Sequence, residues 1–190
     1  MAYRVLVVGG KKLSGEVAGL LEAAGYQEIF MAHDGVTAIK MAKTHLPDVI
    51  IMDVEVPDAG SASVCKDILM ERPVPIVLHA SYSQSEEVRE AMEMGGSAHL
   101  FRPVTKENLL ASIELGVSRF KQCQSLHMEL GDCKEALRVR KLVERAKGIL
   151  MKRNSLTEEE AFLKLQRLSR NNNLPMEKVA ESIIMASEII

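Results

Sequence analysis

Over the first 115 residues or so, apolar positions follow two alternating rhythms. Short β-rich runs (Tyr3 to Val8, Glu28 to Ala32, Val49 to Asp53, Pro75 to Ala80 and Ala98 to Phe101) are separated by stretches in which apolar residues recur every three or four positions. The first rhythm predicts strands and the second helices. The helices are expected up to about Ala24, then over Gly35 to His45, Ala62 to Glu71 and Ser85 to Met94, the last stopped by Gly95 and Gly96. Val49, Ile50, Ile51 and Met52 form an unbroken apolar run, which suits a central strand covered on both faces. Alternating strands and helices require crossover connections and hence a parallel sheet. The expected fold class is α/β, a five-stranded doubly wound parallel domain. Ligands of such folds sit beyond the carboxyl ends of the strands, which gathers Gly9, Gly10, Asp53, His79 and Arg102 about one crevice.

After Pro103 the pattern changes. Thr105 can cap a helix that meets no strong breaker until Asn154 and Ser155. Leu110, Ile113, Val117 and Phe120 are spaced 3, 4, 3, and Cys123, Leu126, Leu130, Cys133 and Leu137 are spaced 3, 4, 3, 4, so a heptad seam with a local stammer is expected. A parallel homodimer would bury it; the plainer alternative is a helix packed on its own domain. Gly131 and His127 weaken the seam. Further on, Thr157 to Glu160 reads as a capping box, the Asn171 to Asn173 run with Pro175 as a break, and Met176 to Ile184 as a last amphipathic helix. The domains expected are 1–117, a linking coiled coil over 118–137, and a small three-helix bundle over 138–190.

Charge sharpens the picture at the bundle. Arg138 to Arg153 holds seven Lys/Arg against one Glu. At roughly 100° per residue, Val139, Leu142, Val143, Ala146, Ile149 and Leu150 form one apolar arc, with basic residues on both margins. Residues 138–190 carry 11 basic and 7 acidic side chains, against 13 and 19 before them. A polyanion suits the C-terminal surface, since neutralising phosphates releases condensed counterions; a solvated basic face is the plain alternative. No run of about 18 apolar residues exists, and the N-terminus lacks the pattern of a signal peptide, so a cytoplasmic protein that does not enter a membrane is expected. Cys65, Cys123 and Cys133 lack the spacing of a disulfide framework or a zinc site. No nucleophile with a base, paired carboxylates or metal set is evident, so neither an enzyme nor a bound cofactor or metal is expected.

The first half resembles a response-regulator receiver domain over about residues 3 to 117. The resemblance rests on Asp53 at the end of the third strand, Pro57 four residues later, and Arg102-Pro103 after the fifth strand, at the family's Lys-Pro position. It implies Asp53 as phosphoacceptor, with a switch Ser/Thr falling near His79 or Ser81. Receivers hold Mg²⁺ with acidic residues after the first strand, whereas this chain has Gly9, Gly10, Lys11 and Lys12 there. Mg²⁺ needs oxygen ligands in near-octahedral geometry, and one carboxylate is a poor site. A degenerate receiver is expected, not regulated by Mg²⁺-dependent phosphorylation, with Lys11, Lys12 or Arg102 pairing Asp53 in place of metal.

The C-terminal part resembles an ANTAR domain, the three-helix RNA-binding module of transcription antiterminators, over about residues 136 to 184. The matching positions are Ala136-Leu137, Arg140, Ala146-Lys147-Gly148-Ile149-Leu150-Met151, Thr157-Glu158, Ala161-Phe162, Leu165 and Val179-Ala180; Gln166 and Ser169 depart from the pattern. The resemblance implies binding to paired hairpins in leader RNA. Arg140, Lys147, Lys152 and Arg167 are then the expected phosphate contacts. Asn171, Asn172 and Asn173 are either base readers or plain loop residues, and Ala146 and Gly148 are small enough to permit close approach. Leu150, Phe162 and Leu165 are expected in the core. Input would come from a sensor kinase or other partner protein, a small ligand at Asp53, or protein concentration. The competing readings are a DNA-binding response regulator and a scaffold whose basic helix docks an acidic protein.

Overall fold

The computed structural model describes residues 3–57 and 60–188. The chain divides into two compact units, Met1–Gln124 and Ser125–Ile190, a division that falls inside the expected linking segment.

In the first unit five short strands, β1 (Val5–Val8), β2 (Ile29–Ala32), β3 (Val49–Asp53), β4 (Ile76–Ala80) and β5 (Ala98–Phe101), alternate with helices α1 (Lys11–Ala23), α2 (Gly35–His45), α3 (Ser61–Glu71) and α4 (Ser85–Glu93). All strands are parallel, in the order β2-β1-β3-β4-β5. Successive side chains of a strand point to opposite faces, and each face has its own core. Leu6, Ile50, Met52, Ile76 and Leu78 pack with α2, α3 and α4. Val5, Val7, Ile51, Val77 and Leu100 pack with α1 and with Leu109, Ile113 and Val117 at the start of the next helix. This double cover explains the unbroken apolar run in β3. A turn of 3-10 helix at Tyr82–Gln84, which the apolar pattern does not announce, precedes α4.

Helix α5 covers Lys106–Asn154, its start capped by Thr105, whose Oγ1 accepts from Asn108 N at 3.2 Å. Its first turns correct the seam read from spacing. Ile113 and Val117 are buried in the core of their own unit, and Leu110 and Phe120 are half-buried. Only from residue 121 to 138 is every side chain exposed.

In the second unit the end of α5 joins α6 (Glu158–Asn172) and α7 (Met176–Glu188). Their core is Ala146, Leu150, Ala161, Leu165, Val179, Ala180 and Ile184. Thr157 and Glu160 form a reciprocal cap: Glu160 N donates to Thr157 Oγ1 at 3.3 Å and Thr157 N to Glu160 Oε2 at 2.8 Å. Asn173, left-handed at φ 50°, ends α6. Two expectations change here. Phe162, expected in the core, is 38 % exposed, whereas Leu165, one turn on, is fully buried. Ala146 is also fully buried, so its small size serves the packing of α5 in the bundle and leaves it out of reach of any ligand. Among the described residues, no helix is long and apolar enough to cross a membrane.

Candidate functional site

Two regions carry chemistry, one in each unit. In the first, β3 delivers Asp53 to the carboxyl edge of the sheet, in register with His79 on β4. Gly10, Lys11, Lys12, Asp53, Glu55 and Arg102 line an open crevice of about 480 Å³. The loop after β1 is held by Ser14, whose hydroxyl donates to Gly9 O at 2.9 Å. Gly9 itself has φ 155°, and a Cβ there would stand 3.1 Å from Asp53 Cβ, so a glycine lets the loop lie against the carboxylate.

The Asp53 carboxylate is already engaged. Arg102 Nη2 donates to Asp53 Oδ2 at 3.2 Å, and Glu55 N donates to Oδ1 at 3.1 Å. His79 is wholly buried behind it, with Nδ1 3.7 Å from Oδ2, too long for a hydrogen bond, and neither ring nitrogen has a hydrogen-bond partner among the described residues. Burial pushes the Asp53 carboxyl up, but the imidazole, the Glu55 N–H and the guanidinium outweigh it and hold it below the usual carboxylate range. Lys11 and Lys12 line the same crevice and are exposed, without an ion pair among the described residues.

His79 stands directly opposite Asp53, whereas Ser81 lies beyond the strand, where its hydroxyl donates to Gln84 Oε1 at 2.7 Å. The residues present do not fit Mg²⁺. Among the described residues no three acidic, His or Cys side chains cluster for a metal, and a guanidinium already neutralises Asp53. Sequence spacing missed Glu55 as a crevice residue, although its place two residues past Asp53 on the loop leaving β3 was the available signal.

The second region is the charged surface of α5 and α6. Lys147, expected to be a phosphate contact, is nearly buried: its ammonium lies 2.9 Å from Glu144 Oε1 and 2.8 Å from Glu158 Oε1. Both carboxylates raise the ammonium, Glu158 more strongly. Arg138 is likewise engaged, by Glu135, Glu177 and Glu181. By contrast, Arg140, Lys141, Lys152, Lys164, Arg167 and Arg170 have no ion pair among the described residues, and all but the half-buried Lys164 are exposed. At roughly 100° per residue, Lys141, Gly148 and Lys152 fall within one arc of about 40°. Gly148 has nothing within 4 Å of where a Cβ would be, so packing does not require glycine there, although glycine in a helix interior costs stability. Asn172 Nδ2 donates to Leu168 O at 2.8 Å and Asn173 serves as the helix stop, while Asn171 is exposed.

Comparison with known proteins agrees with this two-part organisation. The response regulator receiver domain matches residues 6–114, and the ANTAR domain matches residues 131–184. The transcriptional regulatory protein PdtaR of Mycobacterium tuberculosis strain H37Rv is 37 % identical over 169 residues, covering 89 % of this chain and 82 % of that protein. Response regulator PleD of Caulobacter vibrioides is 32 % identical over 124 residues, 64 % of this chain and 27 % of PleD. Among solved structures, the chemotaxis response regulator CheY4 of Vibrio cholerae superposes with a TM-score of 0.55 at 28 % identity, over 60 % of this chain and 98 % of that one. With the receiver match alone spanning more than half of its length, the chain belongs to the response-regulator family of two-component systems, as a receiver domain followed by an ANTAR domain.

Proposed function

We propose that this protein is an RNA-binding transcription antitermination regulator that grips paired hairpins of a leader transcript as a dimer. The observation that carries the reading is the set of cations on α5 and α6 without an ion pair among the described residues, with Lys141 and Lys152 on the same arc of α5 as the bare backbone at Gly148. Arg140, Lys152 and Arg167 hold phosphates, with Lys141, Lys164 and Arg170 adding to the field. Gly148 lets the sugar-phosphate chain approach the helix, and Asn171 and Asn172 face the unstacked loop bases, whose edges are open to reading. Lys147 reaches RNA only by giving up Glu158, so its first role is to tie α5 to α6. Two bundles, one from each chain of the dimer, raise the effective concentration for the second hairpin, and avidity then exceeds single-site affinity by roughly 10² to 10⁴.

In the receiver, the Arg102 guanidinium takes the place of a metal at Asp53, which supports a domain that does not respond to Mg²⁺-dependent phosphorylation. Its input is then a kinase or other partner protein acting through contact, a small ligand in the crevice, or concentration. Transcription in vitro through a leader carrying two hairpins and a terminator tests the function. Added protein should raise read-through, and read-through that stays level as protein increases would overturn the reading.

A further inference from the structure

Residues 121–138 of α5 are exposed throughout, yet Cys123, Leu126, Leu130, Cys133 and Leu137 repeat along them at 3-4 spacing. Leu126, Leu130 and Leu137 are 57 %, 52 % and 51 % exposed. An apolar stripe left in water on a polar helix costs free energy that pairing recovers. In heptad terms Cys123, Leu130 and Leu137 take position a, and Leu126 and Cys133 take position d. Glu129 therefore sits at g and Lys134 at e, both exposed. In a parallel, in-register pair, g of one helix faces the following e of the other, so Glu129 meets Lys134 of the second copy on both sides of the seam. The adjacent pairs, Gln122 with His127 and Ala136 with Lys141, oppose no like charges. An antiparallel pair centred on Leu130 would instead bring the two Glu129 carboxylates together, and would separate the two Cys133 by about 9 Å along the axis.

We propose that a second copy of this chain docks on Cys123 to Leu137 in parallel and in register, aligned by Glu129 against Lys134, and that the two Cys133 thiols thereby form an oxidisable pair. The inference rests on the parallel dimer read above and adds its register and a chemical lock. Coiled-coil axes lie about 8–10 Å apart and Cα atoms about 2.3 Å off axis, so Cα atoms of facing d residues approach to about 3.4–5.4 Å, a range whose upper part a disulfide bridges. Hydrogen peroxide is the oxidant. One Cys133 thiolate attacks a peroxide oxygen, giving a sulfenic acid and the first water; the other attacks that sulfur, forming the S–S bond and releasing the second water. Two thiols lose two protons and two electrons, and the peroxide takes up both. A seam of about two heptads is short for stable pairing, so the lock turns a concentration-dependent dimer into a permanent one.

Sedimentation of the reduced full-length chain, with peptide mass spectrometry after peroxide treatment, tests the proposal. Glu129→Lys should raise the dimer Kd about tenfold, and adding Lys134→Glu should return it to within about threefold of the starting value. Peroxide should yield a Cys133–Cys133 peptide, absent in Cys133→Ser, which still dimerises when reduced. A reduced dimer that yields no such peptide, or a charge swap that fails to restore pairing, overturns the register and leaves the dimer reading standing. A chain that stays monomeric at high micromolar concentration overturns both.

Discussion

The Asp53 crevice and the basic surface of the ANTAR unit both collect charge, but they settle it in opposite ways. The Asp53 carboxylate itself has its answers close by, Arg102 at 3.2 Å, the Glu55 N–H at 3.1 Å and His79 behind, although Lys11 and Lys12 at the crevice rim have no ion pair among the described residues. On α5 and α6, Arg140, Lys141, Lys152, Arg167 and Arg170 are exposed without an ion pair among the described residues, whereas Lys147 and Arg138 are absorbed by carboxylates. A site whose charge is balanced within the chain gains little from an ionic ligand, whereas unbalanced charge on a rigid bundle is poised for one. The surface proposed for RNA therefore lies in the second unit.

That contrast can be broken by substitution. The largest expected effect is from combining Arg140→Ala, Lys152→Ala and Arg167→Ala. Affinity for a tandem-hairpin RNA should fall about 100-fold at low salt, and the slope of log affinity against log salt by about two units, with the melting temperature unchanged. Filter binding across a salt series reads both, and an unaltered slope would remove these residues from the interface. Next, Lys147→Glu sets a third carboxylate beside Glu144 and Glu158. Thermal melts should show the second unit loosened, any loss of RNA binding tracking the loss of fold. Full stability with lost binding would instead place Lys147 on the RNA.

A finer test is Gly148→Ala. It should stabilise the helix by about 0.5–1 kcal/mol, since no atom stands where the methyl goes, yet weaken RNA binding several-fold if the transcript lies against that backbone. Stabilisation without loss of binding would move the contact elsewhere. The smallest effect belongs to the crevice: Asp53→Asn should leave RNA affinity within about twofold. Acetyl phosphate with Mg²⁺ should give no stoichiometric adduct on the parent chain by intact mass. The Asp53 carboxyl is held below its ordinary value of 3.8, so its contribution to stability is present at neutral pH and fades as pH falls below that value. Melting curves of parent and Asp53→Asn should therefore converge in acid.

Much of the fold was legible because the governing signals are local. The β-rich apolar runs and the three-to-four spacing place β3 at Val49–Asp53 and α2 at Gly35–His45 with the bounds the sequence suggests, and the Thr157 cap announces α6. What escaped depends on partners distant in sequence. Heptad spacing treats Ile113 and Val117 like Leu130, and only tertiary packing tells that the first two are buried against the sheet. Phe162 and Leu165 both fit an apolar face, but one helical turn carries Phe162 to the surface. In the candidate site, the residue types drew attention to Asp53, Arg102 and the basic stretch. The choice of Arg102 over Lys11 and Lys12 as partner for Asp53, and the capture of Lys147 by Glu158 eleven positions away, are set by geometry that spacing does not encode.

The most direct measurement is equilibrium binding of the purified full-length chain to a two-hairpin leader RNA, in competition with a single hairpin, random single strands and duplex DNA. Preference for the tandem hairpins by at least about tenfold, with two chains bound per RNA, is the expected result. Equal affinity for random strands or for the duplex would contradict the assignment of the α5–α6 surface to paired RNA hairpins.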